Sequence, residues 1–204
     1  MNAITEFPFR VQMTFEDFLE RYPNDGHYEW VNGEIIDMRA TRQHDNIANF
    51  IMFAFHDQIR QHQLNYVVTN TAVIRTKTLS GLEQGRKPDV SVISRKQWED
   101  DRQSYAALIE PIELAVEVVS TNWDDDYLDK LEEYQYLGIK EYWIVDYLAL
   151  GSRDYLGKPK QPAILIFQLD EQQRYQSQLF RDEQIIVSKV FPRLQLTAQQ
   201  ILKA

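Results

Sequence analysis

The chain has 204 residues, 44% of them apolar and 26% charged, which is the balance of a globular protein with room for one sizeable core. Its formal net charge of −9 argues against binding nucleic acid through the whole surface, and without cysteine it can form neither a disulfide framework nor a thiolate metal site. No basic segment followed by an apolar one opens it, and no apolar run approaches the roughly 18 residues that span a bilayer, so a single cytoplasmic domain over residues 1–204 is expected.

Thr14, with Asp17 three residues on, has the pattern of a capping box and opens a short predicted helix ending near Tyr22. HYEWVNGEIIDM reads as a hairpin, because Asn32-Gly33 supplies the two positive-φ positions of a two-residue turn. From His44 to about Gln61, the residues Ile47, Phe50, Ile51, Ala54, Phe55 and Ile59 recur at helical spacing and predict an amphipathic helix with His44 in its first turn. Strand-like runs from Tyr66 to Thr69 and from Ala72 to Thr76 precede SGLEQGRK, a glycine-bearing segment that reads as a loop. Pro88 then leads Asp89 into the strand DVSVIS.

The apolar run IELAVEVVS follows as a strand, then a helix from about Asp124 to Leu137 stopped by Gly138, then the strand EYWIVDY. AILIFQL, RYQSQLF and QIIVS read as short strands, and Thr197 with Gln200 as a capping box for a last helix. This order predicts an α/β (α+β) fold: a central mixed sheet flanked by helices, with an antiparallel extension at the C-terminal end.

Glu117 sets the chemical problem. An ionised carboxylate inside an apolar strand is costly unless a lysine, a proton or a metal ion sits opposite it. Asp89 would lie beside Glu117 if their strands pair, and two such carboxylates suit a hard cation such as Mg²⁺, which keeps water and phosphate as its other ligands. The bland alternatives are a turn-initiating aspartate and a strand glutamate paired with a lysine. Phosphate-cradling and serine-hydrolase motifs are absent, and the four histidines lack zinc spacing. Residues 113–133 carry a local net charge of −7, with Asp124, Asp125 and Asp126 expected as a solvated helix N-terminus. Residues 75–96 carry +4, so Arg75, Lys77, Arg86 and Lys87 are the expected phosphate contacts.

KPDVSVIS followed by LAVEVVS resembles the core of the PD-(D/E)XK nucleases. YEWVNGEIIDM, EVVSTN and DYLDKLEEYQYLGIKEYWIVDY together resemble the Uma-two group within that superfamily, from about His27 to the C-terminus. The resemblance implies a restriction endonuclease-like fold and hydrolysis of phosphodiester bonds in nucleic acid, DNA foremost, with Mg²⁺ or Mn²⁺ held by Asp89 and Glu117. The pattern has a lysine two residues after the strand carboxylate, where this chain has Val119. The resemblance moves that lysine to the next helix, at Lys130, and Tyr127, Leu131 and Tyr134 place Lys130 beside that helix's buried face. The alternative is a surface lysine paired with Asp126 at i−4. The same resemblance implicates Glu34 as catalytic, ahead of Glu29 and His44. A homodimer fits the cutting of two strands. A rival reading keeps the fold and drops catalysis, leaving a nuclease-like binding or regulatory module.

Overall fold

The computed structural model describes residues 13–22, 27–100 and 106–204. In chain order the elements are α1 (Phe15–Arg21), β1 (Tyr28–Val31), β2 (Glu34–Asp37), α2 (Arg42–His62), β3 (Tyr66–Thr69), β4 (Val73–Lys77), β5 (Glu83–Arg86), β6 (Val90–Ser94) and α3 (Arg95–Glu99). There follow β7 (Ala107–Leu108), β8 (Leu114–Val118), a π-helical turn (Asp125–Asp129) running into α4 (Lys130–Leu137), β9 (Glu141–Asp146), α5 (Arg153–Leu156), β10 (Ala163–Leu169), β11 (Tyr175–Phe180) and α6 (Ala198–Leu202). Thr14 and Thr197 form the capping boxes that their spacing predicts, and Gly138, at φ 93°, stops α4.

The strands form two sheets. A six-stranded mixed sheet has the order β11-β10-β9-β8-β6-β3, with β8 and β9 parallel and every other pair antiparallel. The β10–β11 hairpin is its antiparallel C-terminal extension. Both faces of this sheet are covered, which is why β8 and β9 read as continuous apolar runs. On one face Ile47, Ile51, Phe55 and Ile59 of α2 pack against Val90, Val92, Leu114, Val116, Trp143 and Val145. On the other, Tyr127 and Tyr134 pack against Ala115, Val119, Tyr142 and Ile144. Helix α2 and the π-turn/α4 segment thus lie on opposite faces.

The second sheet, of order β2-β1-β5-β4-β7, corrects one expectation: Glu83–Arg86 within SGLEQGRK is an interior strand, not a loop. Gly85 misleads there because its role is to admit a ring from α1. A Cβ at Gly85 would stand 2.9 Å from Cε1 of Phe18. The Asn32-Gly33 turn closes the β1–β2 hairpin at φ 52° and 84°, as its sequence demands.

QIIVS is likewise not a regular strand. It makes an isolated bridge between Ile185 and Thr197, with the Ile186 N–H donating to the Leu196 carbonyl. Among the described residues no helix is long and apolar enough to cross a membrane.

Candidate active site

Strands β6 and β8 pair antiparallel with Val90 opposite Val116, so Asp89 and Glu117 meet at the same end of the sheet. Asp89 Oδ2 accepts the Val118 N–H at 2.8 Å, extending the ladder by a side chain. The same oxygen lies 3.1 Å from His44 Nε2, delivered by the first turn of α2. Both residues line an open cleft of about 890 Å³, together with Glu117, Asp126, Lys130, Lys87, Arg39 and Asn122.

A lysine stands opposite Glu117. Lys130 Nζ is 3.0 Å from Glu117 Oε2, and one helical turn on, the Tyr134 hydroxyl donates to Glu117 Oε1 at 2.7 Å. Lys130 Nζ is also 3.1 Å from Asp126 Oδ1 and 3.4 Å from Glu29 Oε1, with the residue only 2% exposed. Lys130 therefore meets Glu117 and Asp126 at once, and the expectation of a surface lysine paired with Asp126 is corrected, because that pair is buried. The π-turn makes this possible: the Lys130 backbone N–H donates to the Asp125 carbonyl, five residues back, while Asp125 and Asp126 both face buried cations. The expectation of a solvated aspartate cluster is thereby corrected, since Asp126 is buried and only Asp124 of the three is exposed.

Behind Lys130 lies a second buried cation. Arg86, 1% exposed, forks onto Glu133 through Nε and Nη2 at 2.8 and 2.7 Å. Its Nη1 donates to Glu29 Oε2 and to Asp125 Oδ2, both at 3.1 Å. Arg86 therefore cannot meet a nucleic-acid phosphate, which corrects its assignment as a binding residue. Arg75 is also engaged, by Glu83 at 3.1 Å from its Nε and by Glu16 at 3.5 Å, and Lys77 lies 3.7 Å from Glu83. Of the four expected contacts, Lys87 alone lines the cleft.

Glu34 is likewise misplaced by the sequence reading. It is exposed at the start of the edge strand β2 and is not among the cleft-lining residues, whereas Glu29, on β1 between β2 and β5, is buried and reaches Lys130. Both glutamates flank the same turn, and only the pairing of Trp30 with Gly85 decides which strand is interior.

Burial pushes the Glu117 carboxyl well above the usual range, against the pull of Lys130 and reinforced by Asp89, Asp126 and Glu29. Burial likewise pushes Asp126 up to about 6 in spite of Lys130. Burial alone would discharge Lys130, but Glu117, Glu29 and Asp126 outweigh it and hold the ammonium charged. Burial would also lower His44, but its contact with Asp89 prevails and raises it. One ammonium thus faces several carboxyl groups, and that surplus is met by protons, with Glu117 and Asp126 both shifted upward.

That surplus bears on metal binding. Among the described residues no group of three or more His, Cys, Asp or Glu encloses a metal position. Asp89 and Glu117, on adjoining strand ends and both lining the cleft, nevertheless make a two-carboxylate donor set of the kind that suits Mg²⁺. The residues fit such an ion.

Residues 15–199 match the model of the Uma2 family, described as "Putative restriction endonuclease". A crystal structure of a "putative nuclease belonging to DUF820" from Anabaena variabilis matches with a TM-score of 0.67 at 12% identity, over 92% of this chain and 96% of that chain. That is a likeness of fold. No curated protein matches the chain.

Proposed function

The chain belongs to the Uma2 family, and from that premise we propose that it is a metal-dependent endonuclease hydrolysing phosphodiester bonds of DNA, with residues 15–199 as one catalytic domain. The family description supports the nuclease function. What supports this particular chemistry above all is one juxtaposition: Asp89 and Glu117 at paired strand ends, with the Lys130 ammonium 3.0 Å from Glu117, all lining one open cleft.

In this reading Asp89 and Glu117 hold Mg²⁺ or Mn²⁺, which when bound supplies Lewis-acid charge to the phosphoryl oxygens and makes water a better nucleophile. Lys130 offers a fixed positive charge to the phosphoryl group as negative charge grows there. Its ammonium is pre-organised by three carboxylates and needs no reorientation during the reaction. His44 fixes the Asp89 carboxylate from the side of α2, and Tyr134 fixes Glu117 from the side of α4. Lys87, on the cleft wall, is the cation placed to meet backbone phosphates; Arg39 lines the same wall with its guanidinium on Asp37 at 2.7 Å. Cutting both strands of a duplex calls for two such clefts, so we read the working form as a homodimer.

The test is plasmid cleavage with Mg²⁺ or Mn²⁺, joined to calorimetry of Mn²⁺ binding. The parent should cut, Glu117→Ala should not, and Asp89→Ala should lose the bound Mn²⁺. A parent that cuts nothing, or cleavage that survives Glu117→Ala, overturns the proposal.

A further inference from the structure

Arg86 belongs to β5, and its side chain does not line the cleft, yet it contacts part of what surrounds Lys130. Two of its carboxylate partners face that ammonium as well: Glu29 Oε1 stands 3.4 Å and Asp125 Oδ2 3.9 Å from Lys130 Nζ. The third, Glu133, is three residues along α4 from Lys130 and also accepts the Thr76 hydroxyl at 2.6 Å. If Lys130 were the one cation here, its ammonium would be divided among Glu29, Asp125, Asp126 and Glu117. A second buried cation shares Glu29 and Asp125 and fixes where they stand. The planar five-donor fork of arginine engages its three carboxylates through four hydrogen bonds, two of them the parallel pair to Glu133.

We infer that Arg86 is a positioning residue: by engaging Glu29, Asp125 and Glu133 it fixes the carboxylates that in turn hold the Lys130 ammonium beside Glu117 on the cleft floor. For its consequence in catalysis this rests on the nuclease reading above; for the placement of Lys130 it does not. Arg86 thus couples the hairpin sheet to the site through Glu29, and the π-turn to the site through Asp125.

Two variants of the full chain test this, each sufficient alone. Arg86→Lys keeps the charge and loses the fork; Glu29→Gln keeps the shape and loses the charged bridge. In plasmid cleavage each should lower kcat by about ten- to a hundredfold, the usual cost of removing an outer partner, with KM unchanged. In a Lys130→Met background neither should lower it further, because residues acting as a unit do not add. Losses that multiply in the double variants would report general loosening and overturn the inference. A second readout needs no turnover: ¹⁵N spectroscopy of the lysine ammonium groups. The Lys130 resonance should shift and exchange faster in both variants, while surface lysines stay put. An unmoved Lys130 resonance in a folded variant overturns the positioning role. A parent without cleavage but with that shift would overturn the nuclease reading and uphold the positioning one.

Discussion

Lys130 and Glu117 are tolerated in the interior through shared contacts: Glu117, Glu29 and Asp126 hold the ammonium, and Lys130 and Tyr134 meet the Glu117 carboxyl, so removing Lys130 leaves its carboxylates without their cation. At 2% exposure, Lys130→Met should cost about 3–5 kcal/mol of stability, against at most about 1 kcal/mol for a surface pair. Urea unfolding will separate that cost from catalysis. Well below the variant's unfolding midpoint, turnover should fall by about a hundredfold or more while Mn²⁺ binding persists; full activity would remove Lys130 from the mechanism. Asp126 supplies a pH test. Its folded carboxyl titrates at about 6, above the ordinary 3.8, so between those values the folded state binds more protons than the unfolded one. Stability from this group is therefore present below the ordinary value and is lost as pH rises through 6. Asp126→Asn, measured by urea midpoints across that window, should flatten the decline; an unchanged slope would mean that Asp126 does not carry the proton. A bound divalent cation has the opposite linkage, since it competes with protons for Glu117 and binds more tightly as pH rises.

Two elements on opposite faces of the six-stranded sheet converge on one end of it: α2 brings His44 to Asp89, and α4 brings Lys130 to Glu117. The lysine can leave the strand because Glu117 and Val119, two residues apart, face the same side, and α4 covers that side. Val119 itself is enclosed by the apolar cluster around Tyr127 and Tyr134, so a lysine there would meet rings rather than the cleft. The placement of His44 depends in turn on how α2 is seated. Phe55, at the middle of its buried stripe, stacks on Phe191 at 4.5 Å and meets Trp143 edge-on at 5.2 Å. Phe55→Ala should cost about 3–5 kcal/mol in thermal or urea unfolding. A loss under 1 kcal/mol would show that α2 repacks and is not what holds the sheet's upper face.

For the whole molecule, the acidity of the chain is concentrated where catalysis is proposed, so a polyanion depends on Lys130 at the floor and Lys87 at the wall for attraction. Lys87 and Arg75 are therefore predicted to differ although they lie in one basic stretch. Lys87→Gln should weaken DNA binding, measured by anisotropy in Ca²⁺, and reduce the salt slope by about one. Arg75→Gln should change neither, because Glu83 and Glu16 already neutralise that guanidinium. Equal effects from both would move the binding surface away from the cleft.

Features that depend on a few consecutive residues were legible in the sequence: the Asn32-Gly33 turn, both capping boxes, the α2 stripe, the strands bearing Asp89 and Glu117, and the buried side of the helix bearing Lys130. Which carboxylates meet Arg86, and that Glu29 meets Lys130, was not. Arg86, Glu29 and Asp125 look like solvated surface charges in any local window, because composition is blind to whether a charge faces water or another charge. Pairing of β1 with β5 draws Glu29 inward and leaves Glu34 on the rim, and a ring from α1 turns the glycine of SGLEQGRK into a strand residue. Local propensity and periodicity act over one or two turns of chain, whereas a buried ion network exists only once distant segments have been brought together. The sequence by itself determined the two carboxylates and the lysine; the tertiary structure alone decided how their charges are balanced.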